Sequence, residues 1–102
     1  MFCVIYEFKI KLKHKEQFLD SWRDFTEAIY RKNGSLGSRL HATDNTDIYI
    51  AYAQWPSEEA YKNVAAIEEY AQEEQLVRSK LVEATKEINV LNKLHVIEDL
   101  LK

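Results

Sequence analysis

The chain opens on a strict alternation. Phe2, Val4, Tyr6, Phe8, Ile10 and Leu12 take turns with Cys3, Ile5, Glu7, Lys9 and Lys11, the period of a β-strand. The second set turns polar only from Glu7 onward, so the first half of this strand, read as Phe2 to Leu12, is expected to be buried on both faces. The period then changes. Phe18, Trp22, Phe25 and Ile29 fall at helical spacing in a helix read from His14 to Lys32, with charged residues on the other side. Arg31 and Lys32 close that helix, and Asn33-Gly34 supplies its left-handed stop.

A second strand, Leu36 to Thr43, is looser and contains Gly37 and Ser38. The turn Asp44-Asn45-Thr46-Asp47 joins it to a third strand, Ile48 to Trp55. Pro56 stops that strand, because proline cannot donate to a ladder. Ser57 is placed to cap a new helix, with Glu58 and Glu59 in the first turn where the helix dipole favours negative charge. The helical region is expected to break near Ala65-Ala66. It should resume from about Glu68 to Ala84 with Val77, Leu81 and Ala84 on one face, before a last strand from about Leu91 to Leu101.

The order strand, helix, strand, strand, helix, helix, strand predicts one α+β domain over residues 1–102: a ferredoxin-like βαββααβ with helices on one face of a four-stranded antiparallel sheet. In the third strand both parities are apolar: Ile48, Ile50 and Tyr52 on one, Tyr49, Ala51, Ala53 and Trp55 on the other. One layer of helices covers one face. The second is expected to be covered by another copy of the chain, so a homodimer is predicted.

Composition narrows the function classes. Net charge is -3, divided into +3 over residues 1–43 and -4 over residues 57–87, with no clustered basic face of the kind nucleic acid requires. The single cysteine, Cys3, excludes an internal disulfide and reads as a small buried hydrophobe, which fits a reducing compartment. No signal segment and no membrane-length apolar run are read in the sequence, so a cytoplasmic location and no membrane partner are expected. His14, His41 and His95 are scattered without ligand spacing, so no metal site is expected.

Candidate chemistry gathers at the end of the third strand. Ala51, Ala53 and Trp55 share a face, and two alanines beside a tryptophan leave room for a flat ligand; the plainer reading is that they let a helix pack close. The run Tyr52-Ala53-Gln54-Trp55-x-Ser57-Glu58-x-Ala60-Tyr61 resembles the signature of the antibiotic biosynthesis monooxygenase family. The element order is similar over nearly the whole chain, including Leu94-His95-Val96-Ile97-Glu98-Asp99-Leu100-Leu101. The resemblance implies a dimeric α+β barrel and a cofactor-independent oxygenase acting on a small aromatic or quinol-type compound.

On that resemblance Trp55 and Tyr61 match pocket-lining positions of quinone-forming relatives, and Arg78 matches an arginine that stabilises substrate anion. An asparagine of those relatives, four residues before the tryptophan, is Ala51 here. That departure keeps open a non-catalytic small-molecule-binding or stress-response module, and an isomerase or lyase of small oxygenated molecules. Haem breakdown fits less well, because residues 56–94 contain no histidine to hold the iron.

Chemically, such an oxygenase deprotonates an electron-rich phenol in a dry pocket and lets it reduce O₂, with donors placed for the developing charge. Arg78 is the candidate anion stabiliser, Tyr52, Tyr61 and Trp55 the candidate donors, and His41 the candidate base because imidazole titrates near neutrality. The alternatives are structural. Trp55 would plug the core, Tyr61 would staple helix to sheet, Arg78 would pair with Glu74, and His41 would be a surface histidine.

Overall fold

In the computed structural model, which describes residues 1–66 and 72–101, the alternation becomes a four-stranded antiparallel sheet. The elements are β1 (Phe2–Ile10), a short 3₁₀ turn (Leu12–His14), α1 (Lys15–Asn33), β2 (Gly37–Ala42), β3 (Ile48–Trp55), α2 (Glu58–Ala66), α3 (Gln72–Glu83) and β4 (Thr85–His95). Their spatial order is β2-β3-β1-β4, so the two most apolar strands lie in the middle. This is the ferredoxin-like α+β arrangement expected from the sequence. The helix α2 runs through Ala65 and Ala66, where the sequence predicts a break, and the expected start of the next helical piece near Glu68 falls outside the described residues.

The helix punctuation follows local chemistry. Gly34 takes a left-handed conformation (φ 76°) immediately after α1, where a side chain would be strained. At α2, the backbone N–H of Ala60 donates to Ser57 Oγ at 3.1 Å, satisfying one of the donors a helix start leaves free.

Register sorts the side chains. Phe2, Val4, Tyr6 and Phe8 of β1 stand opposite Trp55, Ala53, Ala51 and Tyr49 of β3, and this set faces the helices. The stripe on α1 meets it: Phe18 is fully buried and packs on Phe8 and Tyr49, with ring centroids 5.4 and 5.5 Å away. Leu81 of α3 and Ala84, in the turn that follows it, close the same end, and Gln17 Nε2 ties α1 to the carbonyl of Lys80 at 2.9 Å. A second cluster at the far end holds Phe2, Val4 and Trp55 with Ile29, Ala60 and Tyr61 against it.

The outer face differs. Cys3 is buried, but Ile5, Ile48, Ile50 and Tyr52 stay half-exposed within one chain. Burial of both faces is thus incomplete in the single chain, with the helix-facing parity of β3 alone fully covered.

The last strand corrects the expected boundaries of Leu91 to Leu101. It begins at Thr85 and ends at His95. Polar Lys86, Glu87 and Asn89 masked its beginning, yet as an edge strand β4 needs only one apolar side, and its backbone pairs along β1 from Ile10 to Phe2. After Phe2 pairs with His95, the Met1 carbonyl accepts from Val96 N–H at 3.1 Å. Beyond that point the tail leaves the sheet, with Ile97 93% exposed.

Candidate functional site

Between the sheet and its helices lies a cavity of about 300 Å³. Its floor is Tyr6 and Phe8 from β1 with Ala51 and Ala53 from β3. The two alanines that leave room are therefore at the bottom of the space. Trp22, Phe25 and Ile29 of α1 form the roof. Arg78, Leu81 and Val82 of α3 and Ile88 of β4 form one side, and Trp55 with three hydroxyl residues, Thr26, Ser35 and Ser38, completes the wall. Flat aromatic and aliphatic surfaces with few polar groups suit a planar ligand.

The electrostatics of the wall are unusual at one atom. Trp55 is 4% exposed, and its Nε1 has no hydrogen-bond partner among the described residues. A buried donor left unsatisfied costs about 1–3 kcal/mol. Trp55 is otherwise well held. Tyr61 meets it edge-on with centroids 5.7 Å apart, and Phe2 lies 5.5 Å from Tyr61. Arg78 supplies positive charge on the α3 side and is exposed, in reach of both cavity and solvent. Among the described lining residues there is no carboxylate and no imidazole.

The structure brings together Trp55, Ala51 and Arg78 around this cavity and sets Tyr61 behind Trp55 as its packing partner. It does not bring His41 or Tyr52 to them. His41 pairs in register with Ile50 on the outer face, where its Nδ1 lies 3.0 Å from the Ile50 carbonyl. Tyr52 belongs to the same face, its hydroxyl 2.9 Å from Cys3 Sγ. That hydrogen bond, with desolvation added, raises the Tyr52 phenol above its ordinary pKa and keeps it protonated. Both residues line a separate hollow of about 700 Å³ with Ile5, Arg39, Ile50 and, from the tail, Leu101. Glu74, the sequence-level partner considered for Arg78, has a side chain outside the described set.

Sequence reading missed Thr26, Ser35 and Ser38. The available signal was parity: Ser38 and Leu40 alternate with Arg39 and His41 in β2, and Ser38 stands opposite Ala53, an inward residue.

A ferredoxin-like sheet with an aromatic cavity under its helices, closed by Trp55, is the setting in which the family resemblance can be judged. The chain belongs to the antibiotic biosynthesis monooxygenase family, whose model matches residues 1–76. No curated protein sequence matches it. Among solved structures, it is similar to SnoaB, a cofactor-independent oxygenase from Streptomyces nogalater solved as a mutant, at 15% identity and a TM-score of 0.75, covering 99% of this chain and 97% of that one. A structure described as an antibiotic biosynthesis monooxygenase is similar at 15% identity and a TM-score of 0.73, covering 96% and 100%. Rv0793 from Mycobacterium tuberculosis is similar at 11% identity and a TM-score of 0.73, covering 97% of each chain. At these identities the likeness is one of fold. Among the described residues no helix is long and apolar enough to cross a membrane.

Proposed function

We propose that this chain binds a flat hydroxyarene in the cavity beside Trp55 and oxidises it with O₂ without a cofactor. The observation that carries this reading is the aromatic-lined cavity under the helices, with Trp55 in its wall and Arg78 at its side. The cavity excludes water from the ring, Trp55 gives it a flat apolar wall, and Arg78 stabilises the anion that reduces O₂. With no carboxylate or imidazole among the described lining residues, the substrate must be acidic enough to ionise with little help. His41 would act only if a second copy carried it to a cavity, since its own sheet separates it from this one.

In this reading two copies pair through their outer faces. Pairing covers the half-exposed Ile5, Ile48 and Ile50. Oxygen uptake with naphthohydroquinone, measured above its spontaneous oxidation, tests the activity: consumption that scales with protein and is lost in Arg78→Ala supports it. Uptake no greater than the spontaneous rate supports the second reading, a module that binds a small aromatic without transforming it. Ala51 in place of the asparagine of quinone-forming relatives favours that second reading.

A further inference from the structure

We infer that Ser38 and Ser35, beside Trp55, form a subsite that takes a hydroxyl group of the ligand and discriminates against a carbonyl oxygen in the same place. The inference rests on the cavity being a small-molecule site. Its basis is the direction of each hydrogen. Ser38 Oγ donates to the Tyr52 carbonyl at 3.0 Å. Ser35 Oγ donates to the Gln54 carbonyl at 3.5 Å and accepts from Gly37 N–H at 3.0 Å. With their hydrogens turned to the backbone, both serine oxygens offer lone pairs to the cavity they help to line. The Trp55 ring borders the same wall, with its Nε1 buried.

The strand register puts the three close in the fold. Ser38 pairs with Ala53 and Gly37 with Gln54, so the residues flank the end of β3 that Trp55 terminates. Ser38 also borders the hollow on the outer face, as expected for a residue of an edge strand. Its parity, opposite Ala53, sets its side chain toward the inner cavity.

A group matched to this corner must donate to a serine oxygen. A hydroxyl does so. A carbonyl faces serine lone pairs, unless Ser38 turns its hydrogen away from Tyr52 and gives up that bond. For an oxidation that converts a hydroxyarene to a quinone, the corner holds the reduced molecule more tightly than the oxidised one, which favours product release.

The test uses three rigid acids that share a carboxylate for Arg78 and differ at the far end: para-coumaric acid with a hydroxyl, cinnamic acid with hydrogen, and para-formylcinnamic acid with a carbonyl. Calorimetric titration of the wild-type protein should rank para-coumaric acid tightest, by about five- to tenfold over either analogue. Ser38→Ala should flatten that ranking while leaving the affinity for cinnamic acid within about twofold, an effect that a general loosening of the fold would not produce. Ser35→Ala should do the same to a smaller degree. Equal affinities for the three acids in the wild type, or an unchanged ranking in Ser38→Ala, would overturn the subsite and leave the cavity reading standing. Failure of all three to bind would overturn both.

Discussion

Tyr61 meets Trp55 at 68° with ring centroids 5.7 Å apart, while Trp55 alone of the two lines the cavity. In the proposed reading this tyrosine acts through the tryptophan it packs against. Tyr61→Phe should keep this edge contact and leave stability within about 0.5 kcal/mol. Tyr61→Ala should cost about 1–3 kcal/mol and let Trp55 move, seen as a red shift and broadening of tryptophan emission. An unchanged spectrum in Tyr61→Ala would mean that the sheet and Ile29 suffice to hold Trp55.

Arg78 lies on the exposed side of α3 yet in the cavity wall. Arg78→Ala should leave the thermal midpoint almost unmoved, since little packing is lost, and weaken binding of an anionic aromatic about tenfold, as expected for losing a charged hydrogen bond. Binding of an uncharged analogue should change little. Equal loss for both would make the role of Arg78 one of shape.

The start of α2 gives a pH dependence of definite sign. Lys62 Nζ bonds Glu58 at 3.0 Å, and this hydrogen bond, with the charges of Lys62, His95 and Lys93, holds the Glu58 carboxyl below its ordinary value near 4.5. A carboxyl whose folded pKa is depressed contributes stability above the unfolded value and loses it as pH falls through the folded value. Because the pair is exposed, the effect is small. Denaturant midpoints of wild type and Glu58→Gln should differ at neutral pH, with wild type higher, and converge in acid below the ordinary glutamate range. A gap that persists in acid would assign the difference to helix propensity.

The outer face carries the assembly prediction. Ile50 is half-exposed among Ile5, Tyr52 and His41 in one chain. Light scattering at micromolar concentration should give the mass of two chains, and Ile50→Lys should give one, because an unpaired charge would be buried at the interface. A wild-type monomer would contradict the pairing of outer faces.

Much of this was legible in the sequence because the signals were local. Alternation located β1 and β3, the bounds of β3 were read to the residue, and Asn33-Gly34 marked the end of α1. The start of β4 was not, because an edge strand can carry Lys86, Glu87 and Asn89 without penalty, and its end depends on its pairing with β1, a non-local fact. At the site, the Ala51 and Trp55 face was readable from parity, as was the inward face of α1. The separation of His41 and Tyr52 from Trp55 was readable in part, since Tyr52 and Trp55 differ in parity. The phase of β2 against β3 places His41 and depends on the turn between them. The serine corner needed hydrogen-bond directions that no sequence pattern encodes.

The central claim is that a flat aromatic ligand binds in the cavity whose wall Trp55 helps to form. The chain has two tryptophans, so a proton–nitrogen NMR spectrum shows two indole signals, and Trp55→Phe assigns them. That variant should fold at a modest cost in stability, since it loses packed ring area while deleting a buried donor that has no partner among the described residues. Titration of the wild type with para-coumaric acid should shift the Trp55 indole signal, as an aromatic ring bound against the tryptophan requires. A Trp55 signal that stays in place while the ligand binds would contradict the claim and make this tryptophan a packing residue.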